Sequence, residues 1–188
     1  LQVPIIFSVW DDGYGISVPI EFQTTKSSIS KALAGFQWNE DGKGLEIIEV
    51  KAWDYPGLLA AYVRAAKLAR EEFVPCLVHV IECTQPQGHS ASGSHERYKS
   101  ADRLAWEHEA DCNVLFRQWI LENNYSDEST LKAIDDAAVI EARKHQKDAF
   151  AAYMSSVDVD RKAYLSIAKN LLDSTNEPSL LEPIIEEL

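Results

Sequence analysis

Two carboxylates and two glycines lie close together near the start of the chain, in a run that could bind a metal ion and a phosphate group. The run reads Trp10-Asp11-Asp12-Gly13-Tyr14-Gly15-Ile16-Ser17. Hard cations such as Mg²⁺ prefer carboxylate and carbonyl oxygens, and Asp12 with a neighbouring backbone carbonyl offers both. Gly13 and Gly15 let the backbone approach a bound group closely. Asp-Gly is also a common turn dipeptide, so a metal and phosphate loop and a plain turn both remain open.

A second polar run combines glycine, serine, histidine and arginine. It reads Gln87-Gly88-His89-Ser90-Ala91-Ser92-Gly93-Ser94-His95-Glu96-Arg97-Tyr98. An imidazole such as that of His89 can donate to an anion or move a proton near neutral pH. Arg97 adds a fixed positive charge that suits phosphate or carboxylate. The alternative is that each histidine is a solvated loop side chain without a catalytic role.

Several common enzyme classes find no support in the sequence. A serine hydrolase of the nucleophile-elbow type needs Gly-x-Ser-x-Gly, which does not occur. The chain also has no Walker-type loop and no Gly-x-Gly-x-x-Gly run, and His95-Glu96 lacks the second histidine of a zincin helix.

The elements that must position these two runs alternate between strand and helix. Apolar and β-branched runs predict strands at residues 3–10, 45–50 and 76–81, and helical periodicity predicts helices at 21–36 and 55–73. This alternation predicts an α/β fold with an open parallel sheet and right-handed crossovers. Such sheets bind ligands at the carboxyl ends of their strands, which is where both polar runs begin.

The rest of the chain is a long polar loop followed by helices. A loop as long as residues 82–100 is usually functional or disordered. Beyond it we predict helices at 102–109, 113–122, 126 to about 154, and 158–172, followed by an acidic tail that resembles a linker.

Composition restricts the classes of partner and the compartment. The 188 residues fit one α/β domain with extra helices, and the net charge of −12 argues against binding to nucleic acid or to an anionic membrane. Three cysteines without a CxxC pair predict reduced thiols, and no run approaches the roughly 18 apolar residues of a membrane span. We expect a cytoplasmic protein. Because the chain enters a strand at once without an initiator Met, we also expect a fragment of a longer polypeptide.

Taken together and in this order, the two runs resemble the alpha unit of the first component of thiamine diphosphate-dependent 2-oxoacid dehydrogenases. In that family a strand ends in Asn-Asn-Gly-Tyr-Ala/Gly-Ile-Ser, and a Gly-His-Ser loop with a nearby Tyr-Arg or similar pair follows. The matching residues here are the run 11–17, Gly88-His89-Ser90 and Arg97-Tyr98. The resemblance covers about residues 1–150. It implies the C-terminal part of the thiamine diphosphate-binding α/β fold, followed by a helical tail.

The resemblance also implies roles for individual residues. Asp12 would supply a side-chain oxygen to Mg²⁺, and the backbone carbonyl of Tyr14 would be a second ligand. Ile16 would line the cofactor pocket. His89 would contact the diphosphate side of thiamine diphosphate and take part in acyl transfer to the lipoyl group. Ser90 matches a site that regulatory kinases modify in mitochondrial relatives.

The parent enzyme implied by the resemblance decarboxylates a 2-oxoacid, of pyruvate or branched-chain type, and passes the acyl group to a lipoyl domain. Its partners would be a beta unit, fused or separate, and the lipoyl domain of an acyltransferase within a multienzyme complex, in an α2β2-type assembly. We expect residues 1–125 to belong to the cofactor-binding domain, residues 126–157 to form a long helix packing on it, and residues 158–188 to be a helical linker toward a beta-like domain. Alone, this piece should be inactive.

The sequence departs from the family pattern in three places. Asp11-Asp12 replaces Asn-Asn, and an extra negative charge within several Å of a diphosphate costs about 1 to 4 kcal/mol unless Mg²⁺ or a basic group offsets it. The Tyr-Arg element before Gly-His-Ser is replaced by residues 84–87, so Arg97 or an upstream residue would have to take its place. The upstream Gly-Asp-Gly half of the cofactor motif does not occur. Two alternatives stay open: an acetoin dehydrogenase-like relative and a non-catalytic scaffold.

Overall fold

A computed structural model describes residues 2–39, 43–90, 95–176 and 178–187. The chain divides into two compact units, Leu1–Ser126 and Asp127–Leu188, and each is described by itself. The first unit has the predicted α/β fold.

A three-stranded parallel sheet forms the centre of the first unit. Its strands are β1 (Ile6–Trp10), β4 (Glu46–Lys51) and β5 (Cys76–Ile81), arranged in the order β1-β5-β4. All but the last residue of β5 are buried, as its continuous apolar run predicts for a central parallel strand. Because all three strands run the same way, the loops after Trp10 and after Ile81 emerge at the same edge of the sheet.

Helix α2 (Tyr55–Glu71) covers the sheet. Asp54 caps it, because the Asp54 side chain accepts a hydrogen bond from the Gly57 amide. The buried face of α2 consists of alanines at four-residue spacing, and the first two belong to one core cluster with side chains of β5. These alanines are Ala61, Ala65 and Ala69. Small side chains on this face let the helix lie close to the central strand.

The predicted helix over residues 21–36 is wrong. After a short antiparallel pair, β2 (Tyr14–Gly15) with β3 (Val18–Pro19), the chain forms 3-10 turns at Ile20–Phe22 and Thr25–Ser27. A short helix α1 (Ile29–Leu33) and another 3-10 turn at Ala34–Phe36 follow. Lys26 and Ser27 adopt left-handed backbone conformations, at φ 58° and 51°. Ser and Thr side chains in this segment compete for backbone hydrogen bonds, which disfavours a continuous helix.

Two helices close the first unit. They are α3 (Ala101–Glu109), capped by Ser100, and α4 (Cys112–Glu122), capped by Asp111. Both agree closely with the predicted helices at 102–109 and 113–122. A 3-10 turn at His95–Arg97 leads into α3.

The second unit is dominated by one long helix, α5 (Glu128–Ser174), of 47 residues. We predicted two helices with a break between 154 and 158, and that break is wrong. The segment contains no Gly or Pro, and the hydroxyls of Ser155 and Ser156 donate back to the carbonyls of Ala152 and Tyr153. A 3-10 turn at Pro178–Leu180 and a short helix α6 (Glu182–Glu187) follow.

The predicted packing of residues 126–157 on the α/β domain, and the linker role of residues 158–188, stay predictions. Among the helices of the described ranges, none combines the length and the apolar character that crossing a membrane would require.

Candidate functional site

The carboxyl ends of β1 and β5 are joined directly through the backbone of Asp11. Its amide donates to the Val80 carbonyl at 2.8 Å, and its carbonyl accepts from the Cys83 amide at 3.0 Å. The start of the Asp-Asp-Gly run is therefore fixed to the start of the long loop that contains His89. The sheet thus brings the first polar run and the start of the loop that contains the second run to one edge.

The Asp11 carboxylate turns back into the protein. Its Oδ1 accepts from the Gly13 amide at 2.8 Å, and its Oδ2 lies 2.9 Å from Nε2 of His79. The side chain is only 18% exposed. The charge introduced by Asp11 at the first position of the family's Asn-Asn pair therefore has a specific partner within the protein.

His79, which lies in the central strand, was not predicted as a site residue. Its side chain is 1% exposed, with Nδ1 at 2.6 Å from the Ser30 hydroxyl and 3.7 Å from a carboxylate oxygen of Glu49. The sheet register places Glu49 directly beside His79. A histidine inside an otherwise apolar strand was the available signal, because a buried imidazole needs hydrogen-bond partners.

Asp12 and Tyr14 form a tight turn after the strand. Oδ1 of Asp12 accepts from the Tyr14 amide at 3.0 Å, and the Asp12 carbonyl accepts from Nη2 of Arg103 at 2.6 Å. Gly13 between them has φ 81°, a left-handed conformation that favours glycine. The nearest atom that a Cβ on Gly13 would meet is Nη1 of Arg103, at 3.8 Å, so the turn keeps an open side.

An ionic cluster lies next to this turn and is formed by Lys99 together with Arg103 and Glu107 of α3. Glu107 is fully buried and accepts from Nζ of Lys99 with both oxygens, at 2.8 and 2.7 Å. It also accepts from Nε of Arg103 at 2.9 Å. The cations of Lys99 and Arg103 lie 5.4 and 5.3 Å from the centre of the Tyr14 ring. None of these three charged residues was predicted from the sequence.

Two cavities flank the Asp-Asp-Gly turn. One, of about 260 Å³, is lined by residues that include Asp12, Gly13, Lys31 and Arg103. The other, of about 220 Å³, is lined by residues that include Trp10, Asp12 and Tyr14. Asp12 borders both. Ile16 is 63% exposed with φ 61°, and its contact with a cofactor stays a prediction.

The second polar run is only partly described. His89 is exposed, and Gly88 before it has φ 74° and lies against the side chain of His95, which a Cβ on Gly88 would meet at 2.8 to 3.1 Å. Residues 91–94 lie outside the described residues. The predicted roles of His89 in cofactor binding and acyl transfer therefore stay predictions.

The three cysteines have free thiols, as the sequence predicted. Cys83 lies just after β5 beside the Asp11 backbone, and burial raises the pKa of its thiol to about 11. Burial also raises the pKa of Cys76, which packs in the core under α2. Both thiols are therefore poor nucleophiles at neutral pH.

The donor set at the turn suits Mg²⁺ in part. Mg²⁺ is usually bound through one or two carboxylates, with waters and phosphate oxygens completing its shell. The Asp12 carboxylate and the Tyr14 carbonyl, the two predicted ligands, belong to the same turn. Within the described part of the chain no group of three or more His, Cys, Asp or Glu side chains forms a metal site, so further ligands would have to come from elsewhere.

Residues 1–157 match a family model described as dehydrogenase E1 component. The chain belongs to this family. The matched residues include the Asp-Asp-Gly turn, the sheet edge, the ionic cluster of α3 and the first part of α5. The α5 helix continues to Ser174, past the end of the match.

Curated relatives within the E1 component family are named pyruvate dehydrogenase E1 component subunit alpha. The protein of Rickettsia conorii is 24% identical over 135 residues, which are 72% of this chain and 39% of the relative. The protein of Rickettsia bellii gives the same figures, and that of Rickettsia typhi is 25% identical over 133 residues, 71% of this chain and 38% of the relative. The chain thus spans about two fifths of the length of these relatives.

Proposed function

We propose that this chain is part of the alpha unit of a thiamine diphosphate-dependent 2-oxoacid dehydrogenase of pyruvate or branched-chain type. The parent enzyme would decarboxylate a 2-oxoacid and transfer the acyl group to a lipoyl domain. The observation that carries the proposal is the Asp12–Tyr14 turn at the carboxyl end of β1, whose two residues Asp12 and Tyr14 line one cavity. Family membership and the names of the relatives support it.

Asp12 and Tyr14 are the residues that we propose to bind Mg²⁺. The Asp12 carboxylate would contribute one oxygen and the Tyr14 backbone carbonyl another. Thiamine diphosphate, when bound, would supply the carbanion chemistry of decarboxylation, while the protein positions it. Ile16 and His89 are the further residues that we propose to contact the cofactor, with His89 also serving acyl transfer.

The pairing of Asp11 with His79 supports cofactor binding despite the Asp11-Asp12 variation. A free carboxylate at position 11 would repel a diphosphate at a cost of about 1 to 4 kcal/mol. The Asp11 carboxylate instead bonds the Gly13 amide and the His79 ring, and Arg103 and Lys31 line the cavity on the same side. The Asp11 carboxylate is thus held by hydrogen bonds rather than free, while Glu49 and Glu82 line the same cavity and keep the scaffold alternative open.

The proposed partners follow from the same assignment. They are a beta unit, fused or separate, in an α2β2-type assembly, and the lipoyl domain of an acyltransferase. No residue of this chain is assigned the activation of the cofactor's aminopyrimidine, a task that we assign to the beta unit.

The test is thermal unfolding of the natural full-length protein with its beta unit, with and without thiamine diphosphate and Mg²⁺. A ligand at 100 times its Kd stabilises the folded state by about 2.7 kcal/mol, and we expect the Tm to rise accordingly. We expect Asp12→Ala to abolish this increase and Asp12→Asn, which restores the family residue, to keep it.

Asp136→Ala is the matched control, because Asp136 is an exposed carboxylate on α5. It should leave the increase in Tm unchanged. If the wild-type protein shows no increase, the non-catalytic scaffold is the better description. An increase that survives Asp12→Ala would remove Asp12 from the metal site.

A further inference from the structure

We infer that Arg103 and Glu107 are positioning residues that hold the Asp12–Tyr14 turn in its metal-binding shape, with buried Glu107 fixing the Arg103 guanidinium. The inference rests on the proposed function, because it concerns how tightly the same turn binds Mg²⁺. It assigns a role to a buried carboxylate and two cations that the sequence motifs do not include.

The cluster contains more positive charge than is needed to balance its one buried carboxylate. A buried carboxylate is costly unless it is paired and hydrogen-bonded. Lys99, whose side chain is 1% exposed, already satisfies Glu107 with bonds to both oxygens. Arg103 adds a second cation to the same carboxylate, so the cluster has one positive charge in excess. That excess charge lies on the side of the Asp12–Tyr14 turn.

The guanidinium of Arg103 joins the cluster to the turn in a way that depends on its shape. Its Nε donates to Glu107 at 2.9 Å, while Nη2 donates to the Asp12 carbonyl at 2.6 Å. Its Cζ atom also lies over the Tyr14 ring and the Trp106 ring, at 5.3 and 4.6 Å from their centres. One group therefore contacts both proposed ligand residues. A lysine keeps the charge but lacks the fixed fork that spans the two acceptors.

The same cluster also contacts the loop that follows β5. Nζ of Lys99 donates to the Gln85 carbonyl at 3.3 Å and lies over the Tyr14 ring, which in turn contacts the ring of Tyr98 at 5.7 Å. Glu107 therefore lies behind both polar runs of the sequence. If it lost its charge, Lys99 and Arg103 would lose their common acceptor and the turn would lose its support.

The experiment compares Arg103→Lys and Glu107→Gln with wild type in the natural full-length protein with its beta unit. Mg²⁺ is titrated at saturating thiamine diphosphate while intrinsic fluorescence is recorded, since Trp10 and Trp106 flank the turn. The Tm without cofactor is measured in parallel. Removing a group that orients a metal ligand typically weakens metal binding by about 10- to 100-fold. We expect a loss in this range for both variants.

Two matched controls make the same substitutions at exposed positions, and they test whether any loss of Mg²⁺ affinity depends on where the residue lies. Glu109→Gln changes an exposed glutamate on the same helix, and Arg143→Lys changes an exposed arginine on α5. Both should bind Mg²⁺ as wild type does. If Glu107→Gln does not fold, Arg103→Lys decides, because its side chain is 26% exposed and its charge is retained.

The outcomes separate this inference from the proposed function. If the wild-type protein binds Mg²⁺ and Arg103→Lys binds it with the same affinity, the inference is wrong and the proposed function is unaffected. This holds even if the cofactor-free Tm of Arg103→Lys falls. Absence of Mg²⁺ and thiamine diphosphate binding in the wild type overturns both.

Discussion

Replacing His79 by leucine should destabilise the first unit mainly through Asp11. The imidazole is 1% exposed in the central strand and bonds the Asp11 carboxylate at 2.9 Å and the Ser30 hydroxyl at 2.6 Å. Leucine fills a similar space without a polar atom. The substitution therefore removes two hydrogen bonds while keeping most of the packing.

The expected magnitude follows from the two bonds. A hydrogen bond to a charged group contributes about 1.5 to 3 kcal/mol and a neutral one about 1 kcal/mol. His79→Leu should thus lower the free energy of unfolding by about 3 kcal/mol. Asp11→Ala loses the same bond to His79 and, in addition, the bond from the Gly13 amide. Because that second loss cancels in a double-mutant cycle, the coupling energy between the two sites should be about 2 kcal/mol.

The assay is urea unfolding of wild type, both single variants and the double variant, followed by fluorescence and by circular dichroism. Agreement of the two probes is needed before a free energy is extracted. Independent sites add within about 0.5 kcal/mol. If the effects of His79→Leu and Asp11→Ala add within that margin, the pair does not stabilise the strand edge and our reading of His79 is wrong.

Two further predictions concern Cys83 and Asp54. Because burial raises the pKa of Cys83 to about 11 from an ordinary 9.0, the thiolate fraction is lowered, and alkylation followed by mass spectrometry should speed up until about pH 11. A rate that levels off near pH 9 would contradict this. Asp54→Ala removes the cap of α2, in which the carboxylate accepts from the Gly57 amide, and should cost about 1 kcal/mol in urea unfolding. Exposed Asp136→Ala should cost less, and an equal cost would argue against the cap.

The local parts of the fold were predictable from the sequence. The strands β1, β4 and β5 and the helix α2 lie within a few residues of their predicted bounds. Each is specified by a continuous apolar run or by helical periodicity, with Asp and Pro marking where α2 begins. The segment 21–36 was not predictable in this way, because its hydroxyl side chains form local bonds that periodicity does not record. The unbroken α5 was not predicted, although residues 154–158 contain neither the Gly nor the Pro that would interrupt a helix.

The residues of the candidate site were likewise predictable only in part. Asp12 and Tyr14 could be proposed from the sequence because the run 11–17 carries its oxygens and its glycines within a few residues. The partners of that run could not. His79 comes from another strand, and Arg103 and Glu107 come from a helix beyond a long loop. The order β1-β5-β4 brings His79 to Asp11 only after folding, and the packing of α3 brings Arg103 to the turn. Spacing along a chain specifies the hydrogen bonds that a turn makes with itself, whereas the charges that surround the turn depend on which distant elements pack beside it.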